Sequence, residues 1–112
     1  MFRQTFLLLS LLSAPVALAA DSLGTAGTVD VIDVNATTAD TYLQFHGRVF
    51  LTVGAQTVEY RWGGTSCSNK TLSEGQVAML QRASESGMLL TPRYQSGQGL
   101  HKCLVGFTIR VP

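Results

Sequence analysis

The stretch at residues 43–62, LQFHGRVFLTVGAQTVEYRW, decides the fold that the sequence predicts. Apolar and polar residues alternate along its first half, which is the period-2 pattern of a half-buried strand. Gly54 and Ala55 then suit a two-residue turn of type II′, in which glycine comes first. A turn at this point places Gly47 opposite Trp62 and collects the apolar residues on one face. The segment is therefore predicted to be an antiparallel hairpin in which the Trp62 ring covers Gly47.

A helix and further strands are predicted on either side of this hairpin. Ser73 followed by Gln76 has the spacing of a capping box, and Gly87 is a suitable C-terminal stop. The apolar stripe of this helix is narrow, so the helix needs a sheet to pack against. The predicted fold is α+β, a small antiparallel sheet in the order β-β-β-α-β-β with one helix packed on one face and a single disulfide. The other three predicted strands are residues 29–34, 88–95 and 100–111.

The N-terminal residues have the pattern of a secretory signal peptide. Arg3 gives a positive start, residues 6–12 are apolar apart from one serine, and residues 17–19 (ALA) form a small-x-small cleavage site. The alternative, a short membrane anchor or buried helix, is disfavoured because the apolar run is too short to cross a bilayer. We therefore predict a signal peptide over residues 1–19, a single domain over residues 20–112, and a periplasmic or secreted location without a membrane span.

The two cysteines of an exported chain predict a disulfide bond. Cys67 and Cys103 lie 36 residues apart. Cys103 is predicted on the core face of the last strand together with Phe107 and Ile109, so the bond would tie the start of the helix to the sheet. The alternative is a pair of free reactive thiols, for which the Cys-x-x-Cys spacing is missing.

Length and composition exclude several classes of protein. A chain of 112 residues with 46% hydrophobic and 13% charged residues fits one globular domain and is too apolar to be disordered. Without Arg3 the mature chain has seven basic and seven acidic residues, so no nucleic-acid partner is expected. The sequence contains no motif for a nucleotide, a metal ion or a nucleophilic serine, and no cofactor or metal site is predicted.

The predicted strand pairing places cations opposite each other. Arg48 faces Arg61 in the first hairpin, and a four-residue turn in the second hairpin sets Arg93 opposite Lys102. Like charges facing each other across strands destabilise a sheet by up to about 1 kcal/mol. Both pairs fall on the side away from the core, and His46 lies on the same side. These five residues are the predicted ligand-binding site, on the open face of the sheet.

Two interpretations of this basic face stay open. Either the carboxylates or phosphates of a ligand relieve the repulsion, or Glu59, Asp30 and Asp33 neutralise the cations within the fold. The first interpretation predicts an exported, non-enzymatic binding module for an acidic protein or an envelope polyanion, a class that includes inhibitor and immunity proteins. The alternative function is a small secreted hydrolase in which His46 and Glu59 carry out acid–base chemistry. A structural subunit of an assembly is a third interpretation, and the oligomeric state is not predicted.

Overall fold

The structure is a computed structural model that describes residues 20–111. The predicted signal peptide lies outside the described residues. Within residues 20–111 six strands and one helix follow one another, so the predicted order of elements is preceded by one additional short strand. In chain order the elements are β1 (Ser22–Leu23), β2 (Gly27–Val34), β3 (Gly47–Val53), β4 (Gln56–Trp62), α1 (Glu74–Ser86), β5 (Leu89–Ser96) and β6 (Lys102–Arg110).

The hairpin of β3 and β4 has the predicted register. Gly47 pairs with Trp62 and Arg48 pairs with Arg61 in an antiparallel arrangement. Gly54 opens the turn with a φ of 60°, a left-handed backbone conformation that glycine adopts without strain. A Cβ atom placed on Gly47 would overlap the Trp62 ring. The predicted hairpin and the covering of Gly47 by Trp62 are both confirmed.

The strands close into a barrel, and the prediction of an α+β open antiparallel sheet is wrong. β2, β3 and β4 form an antiparallel meander, β5 and β6 pair with each other, and β5 returns to β2. β4 meets β6 in parallel, with Arg61 opposite Cys103. The result is a closed five-stranded barrel, beside which β1 pairs with β5 as an extra strand. This strand order, with a helix between the third and fourth barrel strands, has the connectivity of the OB-fold, a Greek-key barrel.

Closure of the barrel has a physical reason that the hydrophobic pattern does not reveal. An open sheet leaves unpaired N–H and C=O groups along its edges, and closure pairs them. Two irregularities help to bend the strands. The register of β2 shifts between Val29 and Val31, and the register of β5 on β6 shifts between Arg93 and Tyr94. Such bulges bend a strand and increase its twist.

The core fills the barrel and extends to one face of α1. At the start of the last strand Cys103 is completely buried as predicted, but Leu104 is buried as well and is the residue that joins the core cluster. The shift of register between β5 and β6 changes the alternation of β6 at this point. Phe107 and Ile109 pack against the core as predicted. The buried residues of this core are Val49, Leu51, Tyr60, Trp62, Leu72, Leu80, Leu90 and Leu104.

Helix α1 begins and ends as predicted. The Ser73 hydroxyl accepts a hydrogen bond from the Gln76 N–H at 3.2 Å, and the Gln76 side chain accepts one from the Ser73 N–H at 2.8 Å. Gly87 ends the helix in a left-handed conformation. Leu80 and Ala83 form the fully buried part of its inner face. The capping box therefore fixes the start of the helix close to the loop that follows β4.

The predicted disulfide between Cys67 and Cys103 is confirmed. Their Cα atoms are 5.6 Å apart, within the range that a disulfide spans. Both residues are completely buried. The bond joins the loop between β4 and α1 to the start of β6, two segments that are distant in sequence.

Candidate functional site

The outer face of β3 and β4 carries a cluster of charged and aromatic side chains. Residues in a strand alternate between its two faces, so Arg48 and Arg61 lie outside while Val49 and Tyr60 lie in the barrel core. This arrangement confirms the predicted pairing of Arg48 with Arg61. We call the cluster the arginine surface, and it consists of Asp33, Phe45, Arg48, Phe50, Glu59, Arg61 and Ser66.

Carboxylates neutralise the two facing arginines. Glu59 Oε2 accepts hydrogen bonds from Arg48 Nη1 at 3.0 Å and from Arg61 Nε at 3.1 Å. Arg48 Nε also donates to Asp33 Oδ2 at 2.8 Å. Within residues 20–111 Asp30 forms no ion pair, so Glu59 and Asp33 alone fill this role. The repulsion between the two arginines is thus offset inside the fold.

Aromatic rings support both guanidinium groups. Arg48 Cζ lies 5.1 Å and Arg61 Cζ 4.5 Å from the centroid of the Phe45 ring, and Phe50 supports Arg48 at 5.0 Å. The alternation of the sequence predicts Phe45 on the core face of a strand. Instead β3 begins at Gly47, and the turns before it place Phe45 beneath the arginines. Sequence reasoning therefore missed Phe45 as a residue of the site.

Ser66 joins the arginine surface to the two neighbouring loops. Its hydroxyl accepts a hydrogen bond from Arg61 Nη1 at 3.2 Å. Its backbone N–H donates to the Gln44 carbonyl at 2.9 Å, in the β2–β3 loop. Its carbonyl accepts from the Gln98 N–H at 2.9 Å, in the β5–β6 turn. Both loops consequently meet at the buried Ser66, directly beside Arg61.

The contacts within the arginine surface shift the pKa values of Glu59 and Arg48. Burial acts to raise the pKa of Glu59, but the hydrogen bonds and charges of Arg61 and Arg48 outweigh burial and lower it. The hydrogen bond to Asp33 raises the pKa of Arg48 against the effect of burial, and Glu59 acts in the same direction. Glu59 and Arg48 are therefore ionised at neutral pH.

Each arginine keeps donors that the network does not use. Arg48 and Arg61 both bond through Nε and Nη1, and the Nη2 group of neither has a hydrogen-bond partner within residues 20–111. The two side chains are 31% and 16% exposed. A guanidinium offers donors in a fork that matches a carboxylate or a phosphate. The arginine surface can therefore bind an anionic group without breaking its internal ion pairs.

The structure does not place Arg93 opposite Lys102, and that predicted pair is wrong. Arg93 pairs with Gly106, and Lys102 pairs with Ser96, because the turn spans five residues (97–101) and the register shifts once more between Tyr94 and Arg93. Arg93 lies across Gly106 and donates to the Thr108 hydroxyl at 3.3 Å. Lys102 instead lies on the same side of β6 as the core residue Leu104. The predicted single basic face is therefore reduced to the pair Arg48 and Arg61.

His46 lies apart from Glu59, its predicted catalytic partner in the hydrolase alternative. The His46 ring stacks on Tyr42 with centroids 4.2 Å apart, and Nδ1 lies 3.1 Å from the Thr71 hydroxyl. The His46 N–H donates to the Trp62 carbonyl, three residues from Glu59 along β4 and hence roughly 10 Å away at strand spacing. The two side chains share no hydrogen-bond partner in the described part of the chain.

Two further structural findings concern metal ions and membranes. Within residues 20–111 no three histidine, cysteine, aspartate or glutamate side chains come together as metal ligands would. The same range contains no helix of the length and apolarity that a membrane span requires.

Replacing Glu59 with glutamine is expected to lower the free energy of unfolding by about 1 kcal/mol at pH 7, because two guanidinium groups lose their common counter-charge. The folded-state pKa of Glu59 lies below its ordinary value of 4.5. Its contribution is therefore present above that pH and is lost as pH falls through the folded-state pKa. Urea unfolding midpoints of the wild type and the variant should converge in acid.

The exposed residue Glu85 of α1 provides the control for this measurement. Glu85→Gln should leave the midpoint unchanged at neutral pH. A gap between wild type and Glu59→Gln that stays constant down to the most acidic pH would contradict the assignment.

Comparisons with models of protein families, with curated proteins and with solved structures find no match for this chain, so the proposals below rest on its own residues.

Proposed function

We propose that the mature chain is an exported, non-enzymatic binding module that holds an acidic ligand, the surface of an acidic protein or of an envelope polyanion, on the arginine surface. The observation that carries this proposal is the pair of aromatic-supported guanidinium groups, Arg48 and Arg61, whose Nη2 donors are unused within residues 20–111. The buried disulfide supports an oxidising compartment, where such bonds persist.

Preorganisation of the two arginines supports a role in binding. A free arginine loses rotamer freedom when it binds, which costs about 0.5–1.5 kcal/mol for each immobilised side chain. Asp33, Glu59 and Phe45 already hold Arg48 and Arg61 in place, so much of this cost is met during folding. Arginines that are held in place in this way bind planar anions better than flexible lysines do.

The position of the arginine surface within the barrel also supports binding. In OB-type barrels the ligand lies on the face of the second and third strands, between the first and the last connecting loops. Here those strands are β3 and β4, and the loops on either side meet at Ser66 beside Arg61. The fold indicates the place of a ligand and not its identity, because one fold serves many functions.

The negative charge of Glu59 repels any anionic ligand that approaches the unused Nη2 groups of the two arginines. Removing its charge is therefore expected to weaken the fold and to strengthen ligand binding. If Glu59 served the fold alone, the same substitution would weaken both the fold and ligand binding. Glu59→Gln thus separates a binding surface from a purely structural ion network.

Binding is best measured with two defined probes, immobilised poly-L-glutamate and immobilised polyphosphate, which distinguish carboxylate from phosphate ligands. We expect saturable binding that weakens as NaCl rises above physiological concentration, because exposed charges are screened over about 8 Å there. Glu59→Gln should bind about 3- to 10-fold more tightly. Arg61→Lys keeps the charge but loses the fork, and should bind about 10-fold more weakly.

The matched control is Arg82→Lys, on the exposed side of α1, which should bind as the wild type does. Unchanged binding by both Arg61→Lys and Arg82→Lys would show that only general charge matters, because each substitution keeps the charge, and would overturn the proposal. Weaker binding by Glu59→Gln, in step with its stability, would overturn the proposal. Absence of binding to both probes would do the same.

A further inference from the structure

A small pocket opens at the end of the barrel, where the N-terminal segment crosses it. Its volume is about 260 Å³, below the range of 300–1,000 Å³ that drug-sized ligands occupy. It is separate from the arginine surface, which lies on the outer face of β3 and β4. The pocket is lined by Leu23, Gly24, Thr25, Val53, Gln56, Val58, Tyr60, Tyr94 and Lys102.

Lys102 supplies the single positive charge of this pocket. Its Nζ atom lies 5.3 Å from the ring centroid of Tyr94 and 5.9 Å from that of Tyr60. The change of alternation in β6 places Lys102 on the same side as Leu104, toward the barrel end. Within residues 20–111 the ammonium group forms no ion pair, in contrast to Arg48 and Arg61. Lys102 therefore offers an uncompensated charge above two aromatic rings.

Tyr60 supplies a hydroxyl donor beside this charge. The residue is only 2% exposed, and its hydroxyl forms no hydrogen bond within residues 20–111. In that range every side-chain oxygen that is sealed from solvent has a hydrogen-bond partner. The unpaired Tyr60 hydroxyl must therefore be in contact with solvent. It belongs to the small exposed part of this residue, which lines the pocket. Burial raises the pKa of Tyr60 and the neighbouring Tyr94 adds to this, so the hydroxyl stays protonated at neutral pH.

The N-terminal segment forms one wall of the pocket and is held in place by hydrogen bonds. The Gly24 N–H donates to the Pro92 carbonyl at 2.9 Å, and Gln95 Nε2 donates to Asp21 Oδ1 at 2.7 Å. A Cβ atom on Gly24 would overlap the Tyr60 hydroxyl and the Pro92 ring. The backbone of this segment therefore approaches the tyrosine as closely as glycine permits, and Leu23 contributes an apolar side to the pocket.

We propose that this pocket binds the carboxylate of a small organic acid, with Lys102 and the Tyr60 hydroxyl on the carboxylate and a short apolar chain against Val53 and Val58. One ammonium group matches one negative charge, and a hydroxyl donor beside it satisfies a second carboxylate lone pair. Most of the lining is polar, and Leu23, Val53 and Val58 supply an apolar part that suits a short hydrocarbon chain. Gln56 and Thr25 line the same pocket with further polar groups.

Titration of the isotope-labelled mature protein with sodium butyrate tests this site. We expect saturable amide shifts at Gly24, Tyr94 and Lys102 in the millimolar range. Lys102→Gln should weaken butyrate binding at least 10-fold, and Tyr60→Phe should weaken it about 3-fold. Lys102→Arg should retain binding within a few-fold, because it keeps the charge. Butanol, which has the same chain without the charge, should bind at least 10-fold more weakly.

Two matched variants make the result specific. Arg110→Gln removes an exposed cation at the far end of the same strand and should leave butyrate binding unchanged. Arg61→Lys should also leave it unchanged, so that failure of this site and failure of the arginine surface are told apart. Shifts that never saturate, shifts that persist in Lys102→Gln, or equal binding of butylammonium would overturn the assignment.

Discussion

Removal of the bond between Cys67 and Cys103 is expected to lower the free energy of unfolding by about 3 to 4 kcal/mol, the value that the chain-entropy model gives for a closed loop of this length. The bond spans 36 residues, so it restricts a large part of the unfolded chain. A domain of this size has only a marginal core of its own, since stabilities of about 5–15 kcal/mol are usual for whole domains. The loss would therefore remove a large fraction of the total.

Urea unfolding of the double variant Cys67→Ala with Cys103→Ala measures this effect. The midpoint should fall, and the dependence on urea should steepen because the unfolded chain becomes less compact. Wild-type protein unfolded in a thiol reductant is the control and should show the same midpoint as the variant. A variant as stable as the oxidised protein would contradict the expectation.

The same bond also fixes the position of Ser66, next to Cys67. Ser66 is held between the β2–β3 loop and the β5–β6 turn and accepts a hydrogen bond from Arg61. The β2–β3 loop also carries Phe45 of the arginine surface. Stability and ligand binding are thus linked through one residue of the β4–α1 loop.

Local structure was largely predictable from the sequence. The hairpin of β3 and β4 is specified by a glycine turn and by period-2 alternation, which agree on a single register. The helix is specified by Ser73, Gln76 and Gly87, each of which acts within one turn of the chain. These signals operate over a few residues, so no knowledge of the remaining fold was needed to interpret them.

Barrel closure was not predictable from these signals. The parallel contact of β4 with β6 and the return of β5 to β2 join segments distant in sequence, and alternation alone does not specify which strands become neighbours. The register shift after Arg93 moves Lys102 from the predicted face to the barrel end. A one-residue shift exchanges the two faces of a strand, and this bulge, together with a turn that is longer than predicted, separates Lys102 from the other predicted site residues.

The neutralisation of the two arginines by Glu59 could have been predicted from the sequence. Glu59 and Arg61 are two residues apart in a strand and therefore share one face, and the hairpin register places Arg48 on that face as well. The contribution of Phe45 carried no such signal. Its position depends on the turns before β3, whose geometry follows from contacts with Thr41 and with the β4–α1 loop.

Replacing Gly47 with valine is expected to destabilise the fold by about 1 to 3 kcal/mol, through overpacking of the barrel interior. A simple strand would gain from this change, because valine has a high β-propensity. Here a Cβ atom would overlap the Trp62 ring and would also approach the Asp33 carbonyl of β2. Trp62 is 2% exposed and sits in the core, so its ring has little room to move away.

Gly75→Ala provides a control of opposite sign. A Cβ atom at Gly75, in α1, meets only the Ser73 hydroxyl at 3.9 Å, so alanine is expected to stabilise the helix by up to about 0.5–1 kcal/mol. Urea unfolding should thus move the midpoints of Gly47→Val and Gly75→Ala in opposite directions. If Gly47→Val were as stable as the wild type, Trp62 would not cover Gly47, and the register that brings Arg48 opposite Arg61 would be wrong with it.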